Sequence, residues 1–174
     1  MRLARRRFLE LGGLVLAAPA FRPAANAAGR VVEIRMRSDP EGAHVGFDPI
    51  GVHVRPGTTL RWVVEANVHT TTAYHPRNGG HPLRIPEEAE PWDSGYLVEP
   101  GQAFETVLTV EGVYDYYCTP HEAAGMVGRI IVGRPGGPGL RPPDETIPPA
   151  ARAAFPSVVR ILEEGIVRAK GLGP

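Results

Sequence analysis

Tyr116-Tyr117-Cys118-Thr119-Pro120-His121-Glu122-Ala123-Ala124-Gly125-Met126-Val127-Gly128 holds the single cysteine of the chain. Cys118, His121 and Met126 place a thiolate, an imidazole and a thioether within nine positions. Upstream, Tyr114-Asp115-Tyr116-Tyr117 has strand propensity and follows Gly112-Val113, so Cys118 is read as a strand end. Thr119-Pro120 opens a turn, Gly125 closes it, and the apolar run 127–132 predicts the next strand. A loop strung between two such strands can fold its own donors around one ion.

The donor types name the ion. A trigonal set of two imidazoles and one thiolate, with a weak axial thioether, is the ligand pattern of a blue-copper electron-transfer site. Soft sulfur suits Cu(I) and nitrogen suits Cu(II), so this mixed set accommodates both and reorganises little between them. The loop supplies three of the four donors. The fourth, a histidine, is expected near the end of an earlier strand, and His69 is well placed. It lies in Arg61-Trp62-Val63-Val64-Glu65-Ala66-Asn67-Val68-His69-Thr70-Thr71-Thr72, which reads as a strand, a polar turn and the start of another strand. His75 and His81, in a Gly/Pro-rich loop, are the rivals and read better as loop surface.

The chain resembles the type 1 cupredoxins, specifically plastocyanin-like and halocyanin-like proteins. Their signature of Cys, two residues, His, four residues, Met recurs at Cys118, His121 and Met126. Pro91-Trp92-Asp93-Ser94-Gly95-Tyr96, Pro100-Gly101 and Phe104-Glu105 resemble the family's approach to its final strand pair. Phe47-Asp48-Pro49 and Val54-Arg55-Pro56-Gly57-Thr58-Thr59-Leu60-Arg61-Trp62 extend the likeness, which covers about residues 30–133. The resemblance implies one type 1 copper ion held by His69, Cys118, His121 and Met126. It departs at Thr70, where many members carry an Asn whose side chain ties the two ligand loops. Thr70 can still hydrogen bond, so the departure bears on the tuning of the site.

Other readings of these residues are weaker. A lone cysteine is more often a small buried hydrophobe, but His121 and Met126 at ligand spacing outweigh that. Cys118 with His121 could also be a thiol nucleophile and its base, yet no third orienting residue or oxyanion-binding loop accompanies them. His44 and His53 read as solvent-facing strand residues, and Trp62 and Trp92 as packing residues. A dinuclear copper site needs two bridging thiolates. Copper oxidases and nitrite-type reductases need a second copper site, and no second ligand cluster is visible. The chain therefore does not read as an enzyme.

Length and composition suit one small β domain with additions. The chain has 174 residues, with 19 prolines and 21 glycines that favour short strands and many turns. Its one cysteine allows no internal disulfide. The N-terminus, Arg5-Arg6-Arg7-Phe8-Leu9, resembles a twin-arginine export signal. An apolar stretch, Leu11 to Ala20, follows it and is too short to span a membrane. Ala25-Asn26-Ala27 offers a cleavage site that would start the mature chain near Ala28. Residues 1–27 carry five arginines and one acid. Removing them from 19 basic and 19 acidic residues leaves 14 and 18, a net charge of −4. A mildly acidic exported protein argues against a nucleic-acid role. Glu87, Glu88, Glu90 and Asp93 form an acidic cluster that could steer a basic redox partner or be an ordinary solvated loop.

The expected fold is all-β, a cupredoxin-like Greek-key β-sandwich of about seven strands, with a C-terminal linker and short α-helix. The strands are placed at 31–36, at 43–47 with 52–54 as one strand broken at Pro49, and at 60–65, 70–73, 103–110, 113–117 and 127–132. His121, ringed by Pro120, Ala123, Ala124 and Gly125, is the expected half-exposed ligand and electron port, and the loop 75–95 is expected to shape the same end. The segments are a leader over 1–27, the sandwich over 28–133 and a tail over 134–174. That tail opens as a Pro/Gly-rich linker. Phe155, Val159, Leu162 and Ile166 then recur on one helical face, and Glu164 and Arg168 form an i,i+4 pair. The helix is expected to fold back on the sandwich, the sharper alternative being a docking helix for an oxidoreductase or membrane redox complex. The whole reads as an exported monomer that takes an electron from one redox protein and gives it to another. A copper-binding module for delivery or storage is the alternative.

Overall fold

The computed structural model describes residues 30–39, 42, 44–169 and 171. The export leader and cleavage site expected over residues 1–27 lie outside these residues. Alternating burial builds the first sheet. Strand β1 (Val31–Ser38) turns Ile34 and Met36 inward, and β4 (Thr58–Val64) does the same with Leu60, Trp62 and Val64. With β2 (Val45–Asp48) and β6 (Ala103–Leu108) they form a sheet ordered β2-β1-β4-β6, in which β1 and β4 are parallel. Its outer face is solvated and charged: Glu65 accepts from Arg35 at 2.9 Å and from Arg37 at 2.8 Å, and Arg61 pairs with Glu105.

The second sheet is ordered β5-β7-β8-β3-β9, from β5 (Thr72–Ala73), β7 (Gly112–Tyr117), β8 (Val127–Val132), β3 (Gly51–Val54) and β9 (Ile166–Val167). Between the sheets lie Ile34, Met36, Phe47, Leu60, Trp62, Tyr114, Tyr116, Ile130 and Val132. Trp62 and Trp92 are packing residues as expected, with ring centroids 5.5 Å apart. One strand expectation is corrected. Residues 43–47 and 52–54 are not one interrupted strand, since β2 joins the first sheet and β3 the second. Pro49 has no amide hydrogen for a ladder, and the turn there carries the chain between layers, leaving Phe47 and Val52 both in the core.

Strands β7 and β8 are buried on both faces, because the tail covers the outer one. Val113, Ile131, Ile161 and Val167 form one outer cluster, and Tyr74, Tyr117, Val127, Ile147 and Ala151 another. The tail thus folds back on the sandwich, but not as one helix. It forms a short 3₁₀ turn (Pro138–Leu140), α1 (Pro149–Ala154) and α2 (Val158–Glu164), then β9, which pairs antiparallel with β3. Pro156 disfavours helix at the residue before it, so α1 stops there, and Ser157 restarts the helix as the N-cap of α2. The expected apolar stripe is consequently wrong: Val159, Leu162 and Ile166 are 63%, 40% and 50% exposed, while Ile161 is buried. Ile161 reaches the backbone of Gly51 so closely that an added Cβ there would lie 2.8 Å from it. The expected Glu164–Arg168 pair is also absent. Gly165 ends α2, Glu164 bonds Arg160 at 2.7 Å, and Arg168 faces Asp48 at 3.5 Å.

A buried charge cluster pins this third layer. Asp115 of β7 is fully buried and accepts from Arg129 Nε at 2.7 Å and from Arg84 Nε at 2.7 Å. The two guanidiniums also donate to tail carbonyls, Arg129 to Pro156 at 2.9 Å and Arg84 to Arg141 at 2.8 Å. Phe155 lies under both, 5.0 Å and 5.8 Å from their charge centres. Two cations on one carboxylate leave surplus charge, and the tail carbonyls and aromatic face solvate it. No helix among the described residues is long and apolar enough to cross a membrane.

Candidate metal centre

The β7–β8 hairpin closes on itself before any ion is considered. Cys118 N donates to Met126 O at 3.0 Å, His121 N to Cys118 O at 3.0 Å, and Met126 N to His121 O at 3.1 Å. Between them sits a 3₁₀ turn (Glu122–Ala124) ended by Gly125 at φ +88°, a left-handed position glycine adopts without a Cβ clash. His69 arrives from the β4–β5 connection, held by reciprocal backbone bonds with Leu97 of 3.1 and 2.9 Å.

These elements bring His69, Cys118 and His121 together. Cys118 Sγ lies 3.6 Å from His69 Nδ1 and 3.4 Å from His121 Nδ1. The three donor atoms fall within 4.8 Å of one another, and no other such cluster of His, Cys, Asp and Glu occurs among the described residues. Met126 is fully buried in the same core cluster as Cys118. Donors roughly 2.0–2.3 Å from a common ion in a trigonal plane stand about 3.5–4 Å apart. The two sulfur–nitrogen separations match that spacing, so the donor set fits one ion. His69, Cys118 and Met126 are buried and His121 is half-buried at the surface.

Burial sets the electrostatics. It lowers His69 to about 4, with His121 adding to the shift, and lowers His121 as well. It pushes the Cys118 thiol up to about 11. The ion-free site therefore holds three neutral donors at neutral pH, and only the thiol has a proton to give up.

A ring of hydrogen bonds fixes these donors. Ser38 Oγ lies 3.2 Å from His69 Nε2, so a ring that donates there keeps Nδ1 free to ligate. Thr70 N points at Cys118 Sγ at 3.3 Å, and Thr119 N donates to Thr70 Oγ1 at 2.8 Å. Thr70 thus makes the loop-to-loop tie that the family's Asn would supply. Replacing Thr70 with valine should cost about 1–2 kcal/mol by leaving Thr119 N unpaired. Thermal melts of copper-free protein will read it, and Thr70→Ser should restore most of the loss.

The rival histidines stay apart from the centre. His44 and His53 are exposed, as expected. His75 Nδ1 accepts from Arg77 N, and His81 faces Glu122 at 3.0 Å. The loop 75–95 shapes the ligand end only in part: His81 touches the ligand loop, whereas Pro86 packs on Gly112 at the opposite end of β7. The acidic cluster is divided as well. Glu90 pairs with Arg77 at 2.7 Å, and Asp93 accepts from Thr72 Oγ1 at 3.0 Å. Pro120, Ala123 and Ala124 are exposed around His121, while Gly125 is half-buried against Ala150 of α1. The Ser38 contact and the Tyr74–Glu122–His81 contacts were not expected from the sequence. Glu122, an acid beside a ligand in an otherwise small apolar loop, was the one local signal.

Comparison with known proteins agrees with this geometry. The family model described as copper binding proteins, plastocyanin/azurin family, matches residues 34–133. The chain is 29% identical over 142 residues to the chloroplastic plastocyanin of Chlamydomonas reinhardtii, covering 76% of this chain and 86% of that one. It is 30% identical over 126 residues to the chloroplastic plastocyanin of Tetradesmus obliquus, covering 72% and 81%. Among solved structures, a pseudoazurin from Sinorhizobium meliltoi shares the fold with a TM-score of 0.57 at 24% identity, covering 78% of this chain and 98% of that one.

Proposed function

The chain belongs to the plastocyanin/azurin family of copper-binding proteins, and on that footing we propose that it is an exported carrier of single electrons between redox proteins. His69, Cys118, His121 and Met126 would hold the copper ion. Bound copper supplies the one-electron chemistry by alternating between Cu(I) and Cu(II). The chain's own residues hold the donors, exclude water and offer an approach. His69, Cys118 and Met126 are sealed in the core, and Thr70 N steadies the sulfur. His121 reaches the surface among Pro120, Ala123 and Ala124, whose small side chains let a partner come close to its ring.

The observation that carries this reading is the convergence of three donor atoms within 4.8 Å on a buried cysteine. Burial also favours a carrier over a delivery or storage module, because an ion sealed in a core exchanges slowly. In this reading residues 1–27 are the export leader, 28–133 the copper domain and 134–174 a tail covering it, and the mature protein works as a monomer in the periplasm or on the outer face of the membrane. Voltammetry of copper-loaded protein tests the carrier. The expected result is a reversible one-electron wave with copper retained over repeated cycles. Rapid loss of copper to a competing chelator on each reduction would instead favour delivery.

A further inference from the structure

Two residues that flank the ligands in sequence are held by the same pair of side chains. Glu122 directly follows His121, and Tyr117 directly precedes Cys118. The Glu122 side chain is only 13% exposed. Its carboxylate accepts from Tyr74 OH at 2.6 Å and faces His81 Nε2 at 3.0 Å. His81 stacks on Tyr117 with centroids 4.3 Å apart, and its Nδ1 lies 2.8 Å from Asn78 O. Tyr74 packs on Tyr117 at 4.6 Å and on Phe155 of the tail at 5.9 Å. On the other side of the loop, Gly125 abuts Ala150 O and Ala154 of α1.

We propose that Tyr74 and His81 are positioning residues for the copper site, acting through Glu122 to fix the loop that carries His121 and Met126. The inference rests on the copper reading and deepens it. The 3₁₀ turn that carries Glu122 contributes no buried residue of its own. Beside the loop's own backbone bonds and the α1 contact at Gly125, the Glu122 carboxylate is the turn's side-chain anchor to the body of the protein. Tyr74 remains a donor, since burial and then the Glu122 carboxylate raise its phenol far above the ordinary value. A loop anchored this way keeps His121 and Met126 in place through both oxidation states. A loop freed from Glu122 would let them move apart and release copper sooner. Groups bonded directly to metal ligands are commonly worth about 10–100-fold in metal affinity, and partners acting one residue removed are expected at the low end of that range.

The test uses the full chain loaded with copper, in the wild type and as Tyr74→Phe, His81→Ala and His81→Gln. Copper loss to a Cu(I)-specific aromatic diimine chelator is followed together with the thiolate-to-copper absorption band. Tyr74→Phe and His81→Ala should lose copper about 10-fold faster and shift the band. His81→Gln keeps an N–H donor near Glu122 and should recover much of both. A purely structural role would not shift the band or be rescued by glutamine. Wild-type rates and bands in every variant, or failure of His81→Gln to recover either, would overturn the proposal while leaving the copper reading intact. Absence of a thiolate band from the wild type itself would overturn both.

Discussion

Asp115→Ala should destabilise the protein by about 3–5 kcal/mol, lowering the melting temperature by roughly 10 °C. Asp115 has no exposed side-chain surface, and its partners Arg84 and Arg129 are 4% and 7% exposed. Removing the one carboxylate leaves two guanidiniums buried beside each other with only carbonyls and Phe155 to solvate them. Losing one member of a buried charge cluster is costly because the remaining charges cannot return to water. Here they can do so only by releasing the tail, whose Arg141 and Pro156 carbonyls they hold. Limited proteolysis should therefore show new cleavage between residues 134 and 157 in the variant, beside the lowered melt. Asp115→Asn keeps the shape but not the charge and should fall between wild type and alanine. An alanine variant with an unchanged melt and a protected tail would refute the clamp.

Copper loading should release about one proton per ion at pH 7, and Cys118→Ala should release none and retain no copper. The sign follows from the ion-free site. Burial pushes the Cys118 thiol up to about 11, so it is protonated at neutral pH and must lose that proton to ligate. His69 is lowered to about 4 and is already neutral, and His121 is shifted in the same direction, so neither contributes a proton. Apparent affinity should accordingly rise with pH by about tenfold per unit over the neutral range and fall as acid returns the proton. A pH-stat titration with copper reads both effects. Proton release that persists without Cys118 would place the ion elsewhere.

The hairpin and the convergence of its candidate donors were legible because local chemistry dictates them. The apolar run 127–132 coincides with β8, and the Cys-to-Met spacing lets Cys118 N reach Met126 O, which sets the register. That register places Asp115 opposite Arg129. A charged residue among tyrosines with an arginine across the ladder was thus a signal in the sequence, although Arg84, in the loop before it, was not. The tail was misread because helical periodicity assumes an uninterrupted helix, and Pro156 and Gly165 divide it into pieces that bury other residues. The Pro49 corner was misread because a proline in a strand marks a break without saying that the chain changes sheets. Ser38 and Tyr74 depend on contacts between distant segments, which no spacing along the chain encodes.

The visible absorption spectrum of the Cu(II)-loaded protein, measured beside Cys118→Ala, tests the copper assignment most directly. An intense blue or green thiolate-to-copper band, absent from the variant, is the expected result. A colourless wild type, or a band that survives the loss of Cys118, would contradict it.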